Sequence, residues 1–255
     1  MSKKKKLIVA NWKMNPASLA EARVLWSKVK LAGGKLDGVE TVICPPFPYV
    51  GLFAHTGTTR VRLGAQDVFW ANTGRATGEV SPEMLKDIGV SYVIVGHSER
   101  RALGETDEIV SKKVRAILAE GLIPIVCIGE RERDADGRYF DILKNQIKCS
   151  LAGLRRPDFR EFVIAYEPLW AIGKSAREAM TPRDIHETSI FIRKVLADMY
   201  DADTAQVPVL LYGGSAEEGN TAPILLEGGV AGLLVGHASL HAEEFIAMLK
   251  TANAI

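Results

Sequence analysis

The chain has few cysteines, little net charge and no long apolar run, and each shortage excludes a class of protein. Its three cysteines, Cys44, Cys127 and Cys149, are odd in number and widely spaced, which argues against a disulfide framework and favours a reducing compartment. The formal net charge is +1 over 255 residues, so no strong field points to nucleic acid or to a membrane surface. No stretch approaches the roughly 18 consecutive apolar residues of a membrane span. We therefore expect a cytoplasmic protein with neither a nucleic-acid nor a membrane partner.

Signals for secretion and for metal binding are equally scarce. The lysine run at residues 3–6 is followed by only a short apolar stretch, Leu7–Ala10, which is too short for the apolar segment of a signal peptide. Cysteine and histidine spacing fits no metal site, so we expect no metal. Three histidines are interpreted as ordinary surface or boundary residues: His55, His186 and His241.

The chain is rich instead in short, β-branched apolar runs that alternate with stretches of helical period. Such runs are typical of strands buried on both faces of a parallel sheet. Ser81-Pro82 and Thr181-Pro182 each place a capping residue before a proline, which predicts a helix start. The eight predicted strands are Leu7–Ala10, Thr41–Cys44, Val61–Ala65, Tyr92–Val95, Ile123–Ile128, Phe162–Tyr166, Val207–Tyr212 and Gly232–Val235.

Eight strands, each followed by a helix, predict an α/β fold of the closed (β/α)₈ type, with eight parallel strands ringed by helices. The competing fold is an open doubly wound sheet, which would usually carry a glycine-rich first turn. Here the first turn, residues 11–16, contains no glycine. No linker or composition break divides the chain, so we expect residues 1–255 to form a single domain.

Polar residues stand where the predicted strands end, which is where active sites lie in this fold. Asn11 and Lys13 follow the first strand, and His97 and Glu99 follow the fourth. Each pair is spaced by two residues, so its members project to the same side of an extended chain. Lys13 and Glu99 could also form a structural ion pair at the barrel rim, and the two interpretations are compatible.

Glu167 is the strongest single candidate, because it ends the apolar run Phe162–Tyr166 and precedes a segment able to close over a site. Pro168 restricts Glu167 to extended backbone angles, so the carboxylate is partly preset. A following segment that closes could exclude water from a general base. The alternative interpretation is a salt-bridged glutamate at a strand end.

Glycine turns follow the last two predicted strands, at Gly213-Gly214-Ser215 and Gly236-His237. Barrels often bind phosphate after these two strands through backbone N–H groups. One Gly-Gly pair usually means only a turn, but two such turns in these places favour a phosphate site.

Four motifs together resemble the triosephosphate isomerase family, in order and over nearly the whole chain. They are Asn11-Trp12-Lys13-Met14-Asn15, Gly96-His97-Ser98-Glu99-Arg100-Arg101, Tyr166-Glu167-Pro168-Leu169-Trp170-Ala171-Ile172-Gly173 and Tyr212-Gly213-Gly214-Ser215. The resemblance implies a TIM barrel that interconverts dihydroxyacetone phosphate and D-glyceraldehyde 3-phosphate in glycolysis and gluconeogenesis, with no cofactor. Glutamate as base and neutral histidine as electrophile are the pairing known for this family.

The resemblance also implies a role for each matching residue. Glu167 would move the proton, neutral His97 would polarise the carbonyl, and Lys13, supported by Glu99, would stabilise negative charge. Asn11 would donate to the substrate oxygens. Phosphate would be bound by Gly173, Ser215, Gly236 and His237, under a lid formed by Pro168, Leu169, Trp170, Ala171, Ile172, Gly173, Lys174 and Ser175.

In the family, the loop after the third strand, here residues 66–79, reaches into a second copy of the chain. The resemblance therefore implies a homodimer in which Thr77 contacts the partner's site near Asn11 and His97. A solvated surface loop is the alternative, which its glycines would also allow.

Three positions depart from the family pattern. The lid continues Gly173-Lys174-Ser175 without the usual second glycine, and its far hinge is longer. His237 stands where the family usually has glycine, so its side chain either points out or adds to the phosphate site. Asp67 replaces the commoner asparagine, and we expect it to tune the packing of loop 66–79.

Two other functions stay open. One is a same-family isomerase of a four-carbon sugar phosphate, which the altered lid makes conceivable. The other is a non-catalytic barrel that binds phosphosugars, although decay would be expected to remove some of the five residues Asn11, Lys13, His97, Glu99 and Glu167.

Overall fold

Eight parallel strands close into a barrel in chain order, β1 through β8, with β8 paired back to β1. The computed structural model describes residues 5–58, 60–134, 136–171, 173 and 180–255. Val9 of β1 pairs with Val42 on one side and with Leu234 on the other, which closes the ring. The strands are β1 Lys6–Asn11, β2 Val39–Cys44, β3 Val61–Ala65, β4 Val90–Val95, β5 Ile123–Ile128, β6 Val163–Tyr166, β7 Val209–Tyr212 and β8 Gly232–Val235.

Helices surround the barrel between successive strands. Thr181 and Ser81 cap the helices Pro182–Met199 and Pro82–Asp87 as predicted, each accepting a backbone N–H three residues on, from Asp184 and Met84. Gly121 follows the helix Asp107–Ala119 with a φ of 72°. This is the left-handed conformation that glycine supplies at a helix end. The helices are α1 Leu19–Gly33, α2 Phe47–Val50, α3 Pro82–Asp87, α4 Ser98–Ala102, α5 Asp107–Ala119, α6 Tyr139–Ser150, α7 Pro182–Met199, α8 Ala202–Ala205, α9 Glu218–Glu227 and α10 Ala242–Ala254.

The predicted barrel and all eight predicted strands are confirmed, and only strand boundaries differ. β3, β5 and β8 match to the residue. The sixth and seventh strands begin later than predicted, at Val163 and Val209, because Phe162 and Val207 lie in the connections that precede them.

Two apolar layers hold the barrel. Side chains inside the ring, among them Val9, Ile94 and Leu211, form one buried cluster. Outward-facing strand residues pack against the helices in a larger cluster that includes Phe245 of α10. The ring interior is therefore filled by side chains, and the site must lie at the strand ends.

Only one face of α1 is buried against the barrel. Leu25 and Val29 are buried, but Val24 and Leu31 are 56% and 68% exposed. The buried positions are Ala22, Leu25, Trp26, Val29 and Gly33, which follow the three- and four-residue spacing of one helix face. Val24 and Leu31 fall outside that spacing.

Within the described ranges, no helix is both long and apolar enough to cross a membrane.

Candidate active site

A cleft of about 410 Å³ opens at the carboxyl ends of the strands. It brings together four residues that the sequence predicted as catalytic, from the ends of β1, β4 and β6: Asn11, Lys13, His97 and Glu167. The glycine turns after β7 and β8 complete its lining, as does Gly173. Residues far apart in the chain therefore converge because parallel strands all end at one face of the barrel.

Glu167 is a buried carboxylate, 2% exposed, fixed between two other groups of the site. Its Oε1 lies 3.1 Å from His97 Nε2, and its Oε2 accepts the Ser98 N–H at 3.2 Å. Its own backbone N–H donates to the carbonyl of Ile128 at 2.8 Å. A Cβ on Gly213 would lie 2.8 Å from Glu167 Cγ, so only glycine leaves room for this side chain.

His97 is held in a defined tautomer. Its Nδ1 accepts the backbone N–H of Glu99 at 3.2 Å, which requires an unprotonated Nδ1. The proton of a neutral ring is then on Nε2, which faces Glu167. His97 is the N-cap residue of α4, which begins at Ser98, and the bond from the Glu99 N–H to the ring is the capping bond of this helix.

Opposing influences act on the pKa of His97. Burial is the largest and lowers it, but the charge of Glu167, the hydrogen bond to it and the charge of Glu99 outweigh burial. The net pKa lies above the usual value of 6.5. The upward shift depends on Glu167 resting against the ring, so it is lost when that carboxylate moves away.

Lys13 has a left-handed backbone, with a φ of 53°, which is unusual for a residue with a side chain. Its N–H donates to Asn11 Oδ1 at 3.0 Å, and its carbonyl accepts from Gln66 Nε2 at 2.8 Å. These bonds hold the strained turn, and strain of this kind is concentrated at functional sites. Lys13 Nζ lies 2.6 Å from Glu99 Oε1, so the predicted rim ion pair is present.

The far end of the cleft is formed by backbone rather than by large side chains. Gly214 and Ser215 follow β7, and Gly236 and His237 follow β8. A Cβ on Gly236 would lie 3.3 Å from Lys13 Cε, so this turn passes directly beside the lysine. His237 is exposed at the cleft, and its ring packs edge-on against His241 with centroids 5.0 Å apart.

The start of the predicted lid is tied to the barrel. Leu169–Ala171 forms one 3-10 turn. Trp170 Nε1 donates to Glu130 Oε1 at 2.9 Å, and Ser215 Oγ donates to the Ala171 carbonyl at 2.8 Å. Of the lid residues predicted from the sequence, Ile172, Lys174 and Ser175 lie outside the described residues.

Three residues of the site were missed by sequence reasoning: Ser98, Gln66 and Glu130. Ser98 acts through its backbone N–H, which no side-chain pattern reveals. Gln66 donates to the carbonyls of both Lys13 and Cys44. Glu130 is fully buried and accepts from Tyr166 Oη at 2.8 Å as well as from Trp170. A glutamate just past β5 was the available signal, because it occupies another strand end.

The loop at residues 66–79 combines a fixed base with an exposed tip. Asp67 is buried and bonds Lys113 Nζ at 2.6 Å and Arg100 Nη2 at 2.9 Å, so it ties the loop to α5 and α4. Thr77 is exposed. The three histidines predicted to be peripheral, His55, His186 and His241, are all exposed.

Metal ligands do not gather anywhere in the described part of the chain, where no group of three or more histidine, cysteine or acidic side chains could hold an ion. Cys44 and Cys127 are buried free thiols and Cys149 is an exposed one. Burial raises the pKa of Cys127 well above its usual value, with a further contribution from Glu167, so this thiol stays neutral beneath the site.

Comparison with known proteins gives one consistent result. A family model described as triosephosphate isomerase matches residues 6–252. A triosephosphate isomerase of Dehalococcoides mccartyi is 41% identical over 249 residues, covering 96% of each chain. One from Alkaliphilus metalliredigens is 38% identical over 251 residues, covering 97% of this chain and 99% of the relative. One from Dictyoglomus thermophilum is 38% identical over 251 residues, covering 97% of this chain and all of the relative.

Proposed function

The chain belongs to the triosephosphate isomerase family, and on this premise we propose how its residues interconvert dihydroxyacetone phosphate and D-glyceraldehyde 3-phosphate. The reaction is an aldose–ketose isomerisation of glycolysis and gluconeogenesis. The observation that carries the proposal is the buried carboxylate of Glu167 facing His97 Nε2 at 3.1 Å, in a cleft that Lys13 and Asn11 also line.

Glu167 is the base that takes a proton from the substrate carbon beside the carbonyl and returns it to the neighbouring carbon. Without ligand its carboxylate rests on the Ser98 N–H and on His97. Substrate enters the cleft between these residues and the glycine turns, and the carboxylate rotates from Ser98 toward the substrate carbons. The carboxylate is 2% exposed, so little water competes with the substrate for it.

His97 acts as a neutral donor through Nε2–H. Since Nδ1 is occupied by the Glu99 N–H, Nε2 is the nitrogen that faces the substrate carbonyl. A proton beside a carbonyl is only weakly acidic, so negative charge develops on oxygen and must be met by donors already in place. When Glu167 leaves the ring, burial dominates the pKa of His97 and keeps the ring neutral.

Lys13 and Asn11 supply the remaining donors. The Lys13 ammonium is 2.6 Å from Glu99, which orients it and balances its charge. Asn11 Oδ1 is already used by the Lys13 N–H, which leaves the amide nitrogen of Asn11 to donate to substrate oxygens. Removing one such donor typically raises the activation barrier by about 3 kcal/mol.

Phosphate binds at the glycine turns, where the backbone can approach an anion closely. The amides at Gly173, Ser215, Gly236 and His237 form this end of the site, and Lys13 supplies the nearby positive charge. The lid from Pro168 to Ser175 then closes over the bound substrate and excludes water. Trp170 with Glu130, and Ala171 with Ser215, are the contacts that hold its first part in the ligand-free protein.

A second copy of the chain is the proposed partner, through loop 66–79 with Thr77 at the contact. Its support is two exposed apolar side chains: Met14, which follows Lys13 in the chain, is 93% exposed, and Trp70 of loop 66–79 is 38% exposed. Sedimentation at micromolar concentration is expected to give twice the mass of one chain, and a monomer would refute the dimer. A cytoplasmic location is proposed on the basis of the three free thiols and the glycolytic reaction.

A coupled assay in both directions tests the function. We expect turnover of both three-carbon phosphates without added metal or cofactor. Faster turnover of a four-carbon sugar phosphate would favour the same-family alternative. Binding of phosphosugars without turnover would favour a non-catalytic barrel.

A further inference from the structure

His237 lines the same cleft as Lys13. It is the first residue of the 3-10 turn His237–Leu240, directly after Gly236. The chain at Gly236 runs beside Lys13, because a Cβ there would lie 3.3 Å from Lys13 Cε and 3.8 Å from its Nζ. The His237 residue and the Lys13 ammonium therefore line one end of one cavity.

The His237 ring is available to a ligand. The residue is exposed, and none of the described residues forms a hydrogen bond or ion pair with either ring nitrogen. Its edge-on contact with the His241 ring, at 5.0 Å between centroids, fixes it against the surface at the start of α10. A ring nitrogen can thus donate to a ligand without breaking an internal hydrogen bond.

The charged groups around this end of the cleft have both signs. Lys13 approaches from the turn after β1, Glu217 from the start of α9 and Glu244 from α10, and all three line the cavity with His237. His241 packs against the ring from outside the cavity. A bound dianion would add two negative charges among them, and protonation of His237 would offset one.

We propose that His237 determines affinity for the phosphate group of the substrate, because its side chain adds a positive charge to the phosphate end of the cleft when protonated. The inference rests on the proposed function only in that phosphate occupies this end. Histidine ordinarily changes charge between pH 5 and 8, so anion affinity rises as the pH falls through this range. Backbone N–H groups and Lys13 keep affinity for the anion at higher pH.

Inorganic sulfate is the probe, because it stays a dianion from pH 5.5 to 8 whereas phosphate titrates in that range. Its dissociation constant is measured by calorimetry at both pH values for the wild-type protein and for His237→Asn, His237→Lys and His186→Asn. Asparagine is never charged, lysine is charged throughout, and exposed His186 on α7 is a matched control outside the cleft.

The quantity compared is the ratio of the sulfate dissociation constant at pH 8 to that at pH 5.5. This ratio is expected to be about fivefold larger for the wild-type protein and for His186→Asn than for His237→Asn, since exposed ion pairs contribute on the order of 1 kcal/mol. His237→Lys is expected to keep the tighter binding at both pH values and to show only the pH dependence that His237→Asn shows. His237 is exposed, so these variants are expected to fold. If His237→Asn keeps the wild-type ratio of the two dissociation constants, the inference is wrong.

Turnover of the triose phosphates is measured in parallel on the same samples. If the wild-type enzyme is active but His237→Asn keeps the wild-type pH dependence of sulfate binding, the proposed function stands and the inference is overturned. An inactive wild-type protein with the His237-dependent pH effect contradicts the proposed function but supports the anion site. The two failures are therefore distinguishable.

Discussion

Shortening Glu167 by one methylene tests whether its carboxylate position, rather than its charge alone, drives the reaction. Glu167→Asp keeps the charge but withdraws the carboxylate by about 1 Å, a displacement that can cost on the order of 100-fold in rate. The backbone of Glu167 is held in place. Its N–H donates to the Ile128 carbonyl at 2.8 Å, and Gly129 packs so closely against the Glu167 carbonyl that a Cβ there would clash.

A 100-fold loss corresponds to about 2.7 kcal/mol in the barrier, and it should fall on kcat because the base acts only on bound substrate. The assay is coupled turnover of D-glyceraldehyde 3-phosphate, with kcat and KM determined separately. Glu187→Asp, the same change on the exposed face of α7, is the matched control and should behave as wild type. A loss below about threefold in Glu167→Asp, with the fold intact, would refute Glu167 as the base.

Three further predictions concern the site and the fold. Lys13→Ala should abolish most turnover with an unchanged far-ultraviolet circular dichroism spectrum, and full activity would remove Lys13 from the mechanism. Glu167→Gln should lower the pKa of His97 below 6.5 in a proton NMR titration, because burial then dominates; an unchanged titration would contradict the coupling. In the wild type the raised pKa means that protonated His97 stabilises the fold below about pH 6.5, and this stability is lost as the pH rises through the folded-state pKa. Thr181→Ala should lower the free energy of unfolding by about 1 kcal/mol through loss of the α7 cap, measured by urea denaturation, and no change would mean that the cap is replaced.

The strands could be predicted because their chemistry is local. A run such as Ile123–Ile128 carries its own burial signal, and the structure reproduces its bounds. The buried face of a helix is harder to predict from the sequence. Val24 and Leu31 are apolar residues of α1, yet both are exposed. Apolar residues on a helix indicate burial only when their spacing follows one face.

The candidate site could be predicted where side chains follow strand ends, as for Glu167. It could not be predicted where backbone or remote contacts decide the geometry. The Ser98 N–H on Glu167, the left-handed turn at Lys13 and the hold of Gln66 on that turn depend on loops brought together by barrel closure. No local pattern encodes those distances.

The most direct measurement is the structure of the protein bound to an unreactive analogue of dihydroxyacetone phosphate. We expect the Glu167 carboxylate to leave the Ser98 N–H, now 3.2 Å away, and to lie against the two carbons that exchange the proton. His97 Nε2 should then face the carbonyl oxygen. A carboxylate still bonded to Ser98, with the analogue in place and the lid closed, would contradict the account.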